Sequence, residues 1–276
     1  MSNIKTEKNK ASILYHKKVK VYNTQRYIIF EKKNFMQKIH SKVALVTGGT
    51  KGIGFGIAEA LLKNGIHVAI TGRHQKTVRE ALVQLNGDGN DATYAIGIEA
   101  DVRNYESQKE AVRQIVEEFG KIDIVIANAG VGHFGPVHEL TVSQWNETIE
   151  TNLTGAFFTL KATIDELIKN KGYYFTISSL AGTNFFANGS AYNASKFGLT
   201  GFTQAAMLDL RQHGIKVSTI MPGSVATQFN GRTPSDEDSW KIQQEDIGQI
   251  VVDLLKLHPR TLPSKIEVRP SMPPSK

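Results

Sequence analysis

The 276-residue sequence predicts a single α/β domain: a doubly wound Rossmann-type fold with a mostly parallel seven-stranded sheet and helices on both faces. Three observations predict it. From Lys42 onward, short apolar runs alternate with helical patterns, which is the order of βαβ units. The run "IDIVIANAG" (122–130) is apolar on both of its alternating faces, as a central strand covered on both sides must be. A glycine-rich segment, "TGGTKGIG" (47–54), separates the first strand-like run from the first helical stretch.

The elements follow in order. "VALVT" (43–47) is the first strand, and "IAEALLKNG" has helical periodicity and stops at Gly65. A strand at 67–71 precedes an amphipathic helix, "KTVREALVQLN", with Val78, Leu82 and Leu85 on one face. A third strand at 93–100, a helix at 107–120 and the fourth strand at 122–130 come next. A long helix is expected over 141–170, a fifth strand over 172–179 and a helix over 190–213. Strands at 216–223 and in "SKIEVRP" flank a last helix, "EDIGQIVVDLLKL". The predicted domain spans 42–270, preceded by a basic, disordered extension (1–41) and followed by a Pro-rich tail (271–276).

Composition excludes several functions. No cysteine is present, which removes disulfides and thiolate chemistry. The eight histidines show no ligand-like spacing, so no metal is expected. Net charge is +7, but residues 1–42 hold 11 Lys/Arg against 2 Asp/Glu, and the remainder holds 22 against 24. The body is near neutral, so no nucleic-acid partner is expected. No apolar run approaches the roughly 18 residues of a membrane span.

The chemistry-bearing residues cluster at strand ends. Thr47, Gly48, Gly52 and Gly54 form T-G-x-x-x-G-x-G at the first strand–helix junction, where backbone amides and a helix dipole favour a pyrophosphate. The second strand ends "ITGRH", with Arg73 where an acid would otherwise meet a ribose hydroxyl. Arg73 and Lys51 therefore point to the 2′-phosphate of NADP(H), or else are solvated surface charges. Asp101 is placed to meet an adenine edge, and "NAG" (Asn128, Ala129, Gly130) makes a small-residue turn for a flat ring. Ser179 ends the fifth strand. Tyr192 and Lys196 lie four apart, a spacing that brings side chains together on one helical face. A cation beside a phenol favours the phenolate. Asn152 offers an amide for relay through water.

In this order and spacing, the 47–54 loop, "NAG", Asn152, Ser179, Tyr192-x-x-x-Lys196, and "PG" (222–223) with Thr227 resemble the short-chain dehydrogenase/reductase family. The resemblance implies an NADP(H)-dependent oxidoreductase acting on a small-molecule carbonyl or alcohol, similar to 3-oxoacyl-ACP reductases. Tyr192 would be the general acid or base, and Ser179 would bind the same oxygen. Lys196 would hold the nicotinamide ribose and lower the tyrosine pKa. Asn152 would hold a relay water, and Thr227 the carboxamide. Thr50, Ile53, Val102, Pro222, Gly223 and Val225 complete the implied cofactor contacts. A cytoplasmic homodimer or homotetramer is also implied; the alternative is a non-catalytic NADP-binding regulator, expected to lack the tyrosine or lysine. His133, Phe134, Phe185 and Phe186 are candidate pocket walls. Residues 228–246 are mostly polar, so the expected substrate is a small ketone, a sugar or a thioester β-ketone rather than a large apolar one.

Overall fold

The computed structural model describes residues 39–87 and 93–273. Most of the expected N-terminal extension and the last three residues of the tail lie outside them. The strands are β1 (Val43–Thr47), β2 (His67–Gly72), β3 (Ala95–Glu99), β4 (Ile124–Ala127), β5 (Tyr173–Ile177), β6 (Lys216–Pro222) and β7 (Lys265–Val268). The helices are α1 (Gly52–Lys63), α2 (Gln75–Asn86), α3 (Tyr105–Phe119), α4 (Val142–Ile149), α5 (Gly155–Asn170), α6 (Ser190–Leu210) and α7 (Gln244–Lys256).

The strands form one sheet in the order β3-β2-β1-β4-β5-β6-β7. Every neighbouring pair is parallel, where a mostly parallel sheet was expected. The chain winds outward from β1 through β2 and β3, then returns to place β4 on the other side of β1. Loops leaving the carboxyl ends of β1 and β4 therefore diverge, and a crevice opens between them. Strands β1, β4 and β5 are buried at every position, as their unbroken apolar composition demands. Edge strand β7 alternates exposed and half-buried residues.

Helices cover both faces, with α1 packed on α7, α3 on α5 and α4 on α6. The α1–α7 crossing is close because glycines meet there. A Cβ on Gly248 would lie 2.5 Å from the Gly56 carbonyl oxygen, and one on Gly56 would lie 2.6 Å from that of Gln244.

Four local expectations are corrected. Helix α1 begins at Gly52, inside the glycine loop, five residues earlier than its apolar periodicity begins. The buried face of α2 centres on Val78 and Ala81, while Leu82 and Leu85 are only half-buried. The stretch 141–170 is not one regular helix: a π-helical turn, Glu150–Thr154, separates α4 from α5. Helix α6 gives way at Arg211–His213 to a 3₁₀ turn that ends on Gly214 at φ 75°.

Glycine to alanine inside a helix ordinarily stabilises by about 1 kcal/mol. At Gly248 the opposite is expected, because the new methyl meets backbone and overpacking costs about 1–3 kcal/mol. Thermal unfolding of Gly248→Ala should show a Tm lower by several degrees; a raised Tm would contradict this packing.

Candidate active site

The carboxyl ends of β1 and β4 are stitched together by two side chains. Thr47 Oγ1 accepts from the amides of Asn128 (3.1 Å) and Ala129 (3.2 Å) and donates to the Ile126 carbonyl (3.4 Å). Asn128 Nδ2 donates to the carbonyls of Thr47 (2.9 Å) and Gly48 (3.1 Å). Gly48 has φ +64°, and a Cβ there would sit 2.9 Å from Ala129 Cα, so only glycine fits. The first turn of α1 has neither a side-chain cap nor an acidic residue. Its free amides and dipole suit an anion from outside the chain.

Around the end of β2, Arg73 is half exposed and lies 3.5 Å from Glu147. Glu147 also meets His133 Nε2 at 2.9 Å; this hydrogen bond, with Arg73 and Arg103 nearby, holds its carboxyl below the usual range. Asp101 is gripped by Arg103 at 2.6–3.1 Å, which lowers its carboxyl as well. Asp101 is thus ion-paired with Arg103, while its neighbours Ala100 and Val102 line the crevice. The sequence signal for this pairing was an arginine two residues away. Two residues lining the crevice, Thr71 and Thr151, carry buried hydroxyls without a partner. Orphan hydroxyls, a glycine cradle and an uncapped helix end together fit a dinucleotide.

The crevice is about 1150 Å³. It gathers the expected catalytic and cofactor residues except Thr47, Gly54, Asp101 and Asn152. Gly54 lies beneath the loop against Asn128. Ser179 follows β5, its Oγ accepting from the Ala181 amide (3.1 Å), and Tyr192 stands in the first turn of α6 with its hydroxyl close to that of Ser179. Lys196 is buried; its Nζ donates to the Ile177 carbonyl at 2.9 Å and lies 5.7 Å from the centre of the Tyr192 ring. Burial pulls the lysine down to about 8. The tyrosine departs from expectation: burial pushes its pKa up, and the Ser179 hydrogen bond only partly opposes this.

Asn152 sits in the π turn, and both donors of its side-chain amide are occupied. Nδ2 donates to the Val131 carbonyl (2.9 Å) and Ser195 Oγ (3.0 Å), and Oδ1 accepts from the Val131 amide (2.8 Å). Ser195 Oγ in turn donates to the Tyr192 carbonyl (2.8 Å). The amide expected to relay through water also clasps Val131, just after "NAG", to Ser195 of α6.

Of the expected pocket walls, Phe134 and Phe186 line the crevice. Phe185 points outward, 88% exposed, and His133 is turned to Glu147. Sequence reasoning missed Phe229, which lies 5.8 Å from Tyr192 and 6.4 Å from Phe134 between ring centres. An aromatic at the start of the polar 228–246 stretch, which also holds Trp240, was the available signal. The stretch expected to be mostly polar thus places an apolar ring on the crevice wall.

Residues 42–238 match the short chain dehydrogenase family. A trans-4-hydroxycyclohexanecarboxylate dehydrogenase of Sinomonas cyclohexanicum is 35% identical over 79% of this chain and 86% of its own. A putative ketoacyl reductase of Streptomyces coelicolor is 35% identical over 75% of this chain and 79% of its own. Among solved structures, an alcohol dehydrogenase from the archaeon Thermococcus sibiricus, complexed with 5-hydroxy-NADP, superposes with a TM-score of 0.78 at 28% identity, covering 85% of this chain and 99% of that one. A metagenomic short-chain oxidoreductase in complex with NADP gives 0.73 at 32% identity, covering 84% and 99%.

The burial of Lys196 has a directly measurable consequence. Its ammonium should titrate near pH 8 in an NMR experiment on the labelled side chain, against an ordinary 10.5. Between those values the unfolded chain binds more protons than the folded one, so this residue's contribution to stability rises with pH across that window. An unshifted titration would refute the buried placement.

Proposed function

We propose that this chain, which belongs to the short chain dehydrogenase family, is an NADP(H)-dependent oxidoreductase that moves a hydride between nicotinamide and a carbonyl or secondary alcohol. The observation that carries this reading is the Tyr192–Ser179 hydroxyl pair on the crevice wall, with the Lys196 ammonium 5.7 Å from the phenol ring.

NADPH, when bound, supplies the hydride; the chain's own residues manage the proton. A carbonyl oxygen becomes strongly basic as its carbon is reduced, and it needs a donor and a second hydrogen bond. Tyr192 and Ser179 offer both from adjacent positions. A phenol pushed above its ordinary value is protonated at neutral pH, so Tyr192 rests in the donor form that reduction requires. Lys196 makes no ion pair among the described residues, so its charge is free to stabilise the negative charge that develops on the phenol oxygen. In the reverse direction the same oxygen takes the proton from an alcohol.

Support for NADP(H) over NAD(H) comes from Arg73 and Lys51, both lining the crevice beside the open end of α1, and from the NADP complexes of similar structures. Glu147 is the internal counter-ion that a 2′-phosphate would replace on Arg73. The Streptomyces relative supports an open-chain 3-oxoacyl thioester and the Sinomonas relative a ring alcohol; the chemistry at Tyr192 is the same for both. Exposed Phe157, Phe197 and Leu208 on α5 and α6 support a homo-oligomer.

Purified protein, NADPH and a carbonyl panel test the reading by loss of NADPH absorbance. Tyr192→Phe should lower turnover by roughly 10²–10⁴-fold while NADPH still binds; full turnover in that variant would sink the mechanism. Arg73→Asp should move the NADPH-to-NADH ratio of kcat/KM by roughly tenfold or more, the worth of a charge-assisted hydrogen bond. An unchanged ratio would remove Arg73 from cofactor choice.

A further inference from the structure

The hydride-transfer reading leaves the substrate open, and this inference rests on that reading. We infer that the substrate carries an apolar ring, alicyclic or aromatic, directly at its reacting carbon, and that Phe134, Phe186 and Phe229 clamp this ring beside Tyr192.

The three phenylalanines come from three separate connections: Phe134 after β4, Phe186 between β5 and α6, and Phe229 after β6. They nevertheless converge. Phe134 lies 5.3 Å from Tyr192 and 6.1 Å from Phe186 between ring centres, and Phe229 lies 5.8 Å from Tyr192. These separations and tilts are those in which aromatic groups attract one another, and another ring would be attracted in the same way.

None of the three is part of the core. Phe134, Phe186 and Phe229 remain 42%, 48% and 36% exposed, and all three line the crevice. Apolar side chains held at the wall of a crevice with convergent polar groups are the mark of a ligand-binding wall. The backbone is shaped to leave them room. A Cβ on Gly132 would come within 2.8 Å of both the Phe134 and Phe229 rings, and one on Gly189 would strike Phe186.

The placement also fixes which part of the substrate is apolar. A carbonyl oxygen within reach of the Tyr192 hydroxyl puts its carbon, and the atoms bonded to it, among these rings. A polar group next to the reacting carbon, as in a keto-sugar, or one methylene away, as in a 3-oxoacyl thioester, would lose water there without regaining hydrogen bonds from the phenylalanines. A compact hydrocarbon ring covers all three faces at once.

The test compares cyclohexanone and acetophenone with the open-chain ketone hexan-2-one and with acetoacetyl-CoA, using wild type, Phe229→Ala and Phe186→Ala. NADPH oxidation gives kcat/KM, and a separate fluorescence titration gives NADPH binding. The expected result is a preference of about tenfold or more for the ring ketones, as expected for burial of one apolar group. In both variants that preference should shrink toward one, with NADPH binding retained. Equal kcat/KM for matched ring and open-chain ketones, or a preference for the thioester, overturns the ring assignment and leaves the hydride-transfer reading intact. NADPH that binds but is oxidised by none of the four carbonyls overturns both.

Discussion

The site depends on one run of hydrogen bonds that crosses the sheet at its switch point. Thr47 and Asn128 fasten the ends of β1 and β4 to each other. Three residues beyond Asn128, Val131 is fastened by both backbone groups to Asn152, and Asn152 holds Ser195, whose hydroxyl meets the Tyr192 carbonyl. The phosphate loop and the helix carrying the phenol are thus linked side chain by side chain. Most of these groups are buried, and leaving one unpaired costs about 1–3 kcal/mol. The penalty for slippage holds the loop and the helix in register. The π turn belongs to the same constraint, because it delivers Asn152 from a stretch that otherwise reads as regular helix.

Burial sets the electrostatics behind that scaffold. Lys196 is enclosed and holds the Ile177 carbonyl at the end of β5 rather than a carboxylate. An ammonium in such a place loses hydration, so its charge is weakened but left available to the phenol. Tyr192 is raised by the same enclosure. The two shifts have one cause and drive the groups' proton affinities apart: the lysine falls to about 8 while the tyrosine rises above its ordinary value. Glu147 and Asp101 are occupied by His133, Arg73 and Arg103.

Rigid and variable parts of the crevice are divided along the chain. Strand ends and α6 carry the proton-handling groups. The connections carry the phenylalanines that shape the space in front of them, as loops positioned by a rigid scaffold commonly do. Phe229 shows how one residue changes such a space: its stretch is mostly polar, yet the ring reaches both Phe134 and Tyr192.

The sequence by itself determined the order of strands and helices, the parallel sheet, the glycine loop, and the grouping of Ser179, Tyr192 and Lys196. Each of these is written in local periodicity, in a spacing of four along a helix, or in the rule that ligands meet the carboxyl ends of strands. Only the tertiary structure decided that Arg103 takes Asp101, that Asn152 is a clasp, that Phe229 rather than Phe185 faces Tyr192, and that the tyrosine pKa rises. The physical reason is common to all four. Ion-pair choice, hydrogen-bond occupancy and desolvation depend on which groups distant in the chain share a space, and on how much water remains there. Local pattern specifies the elements, but it does not say what they enclose.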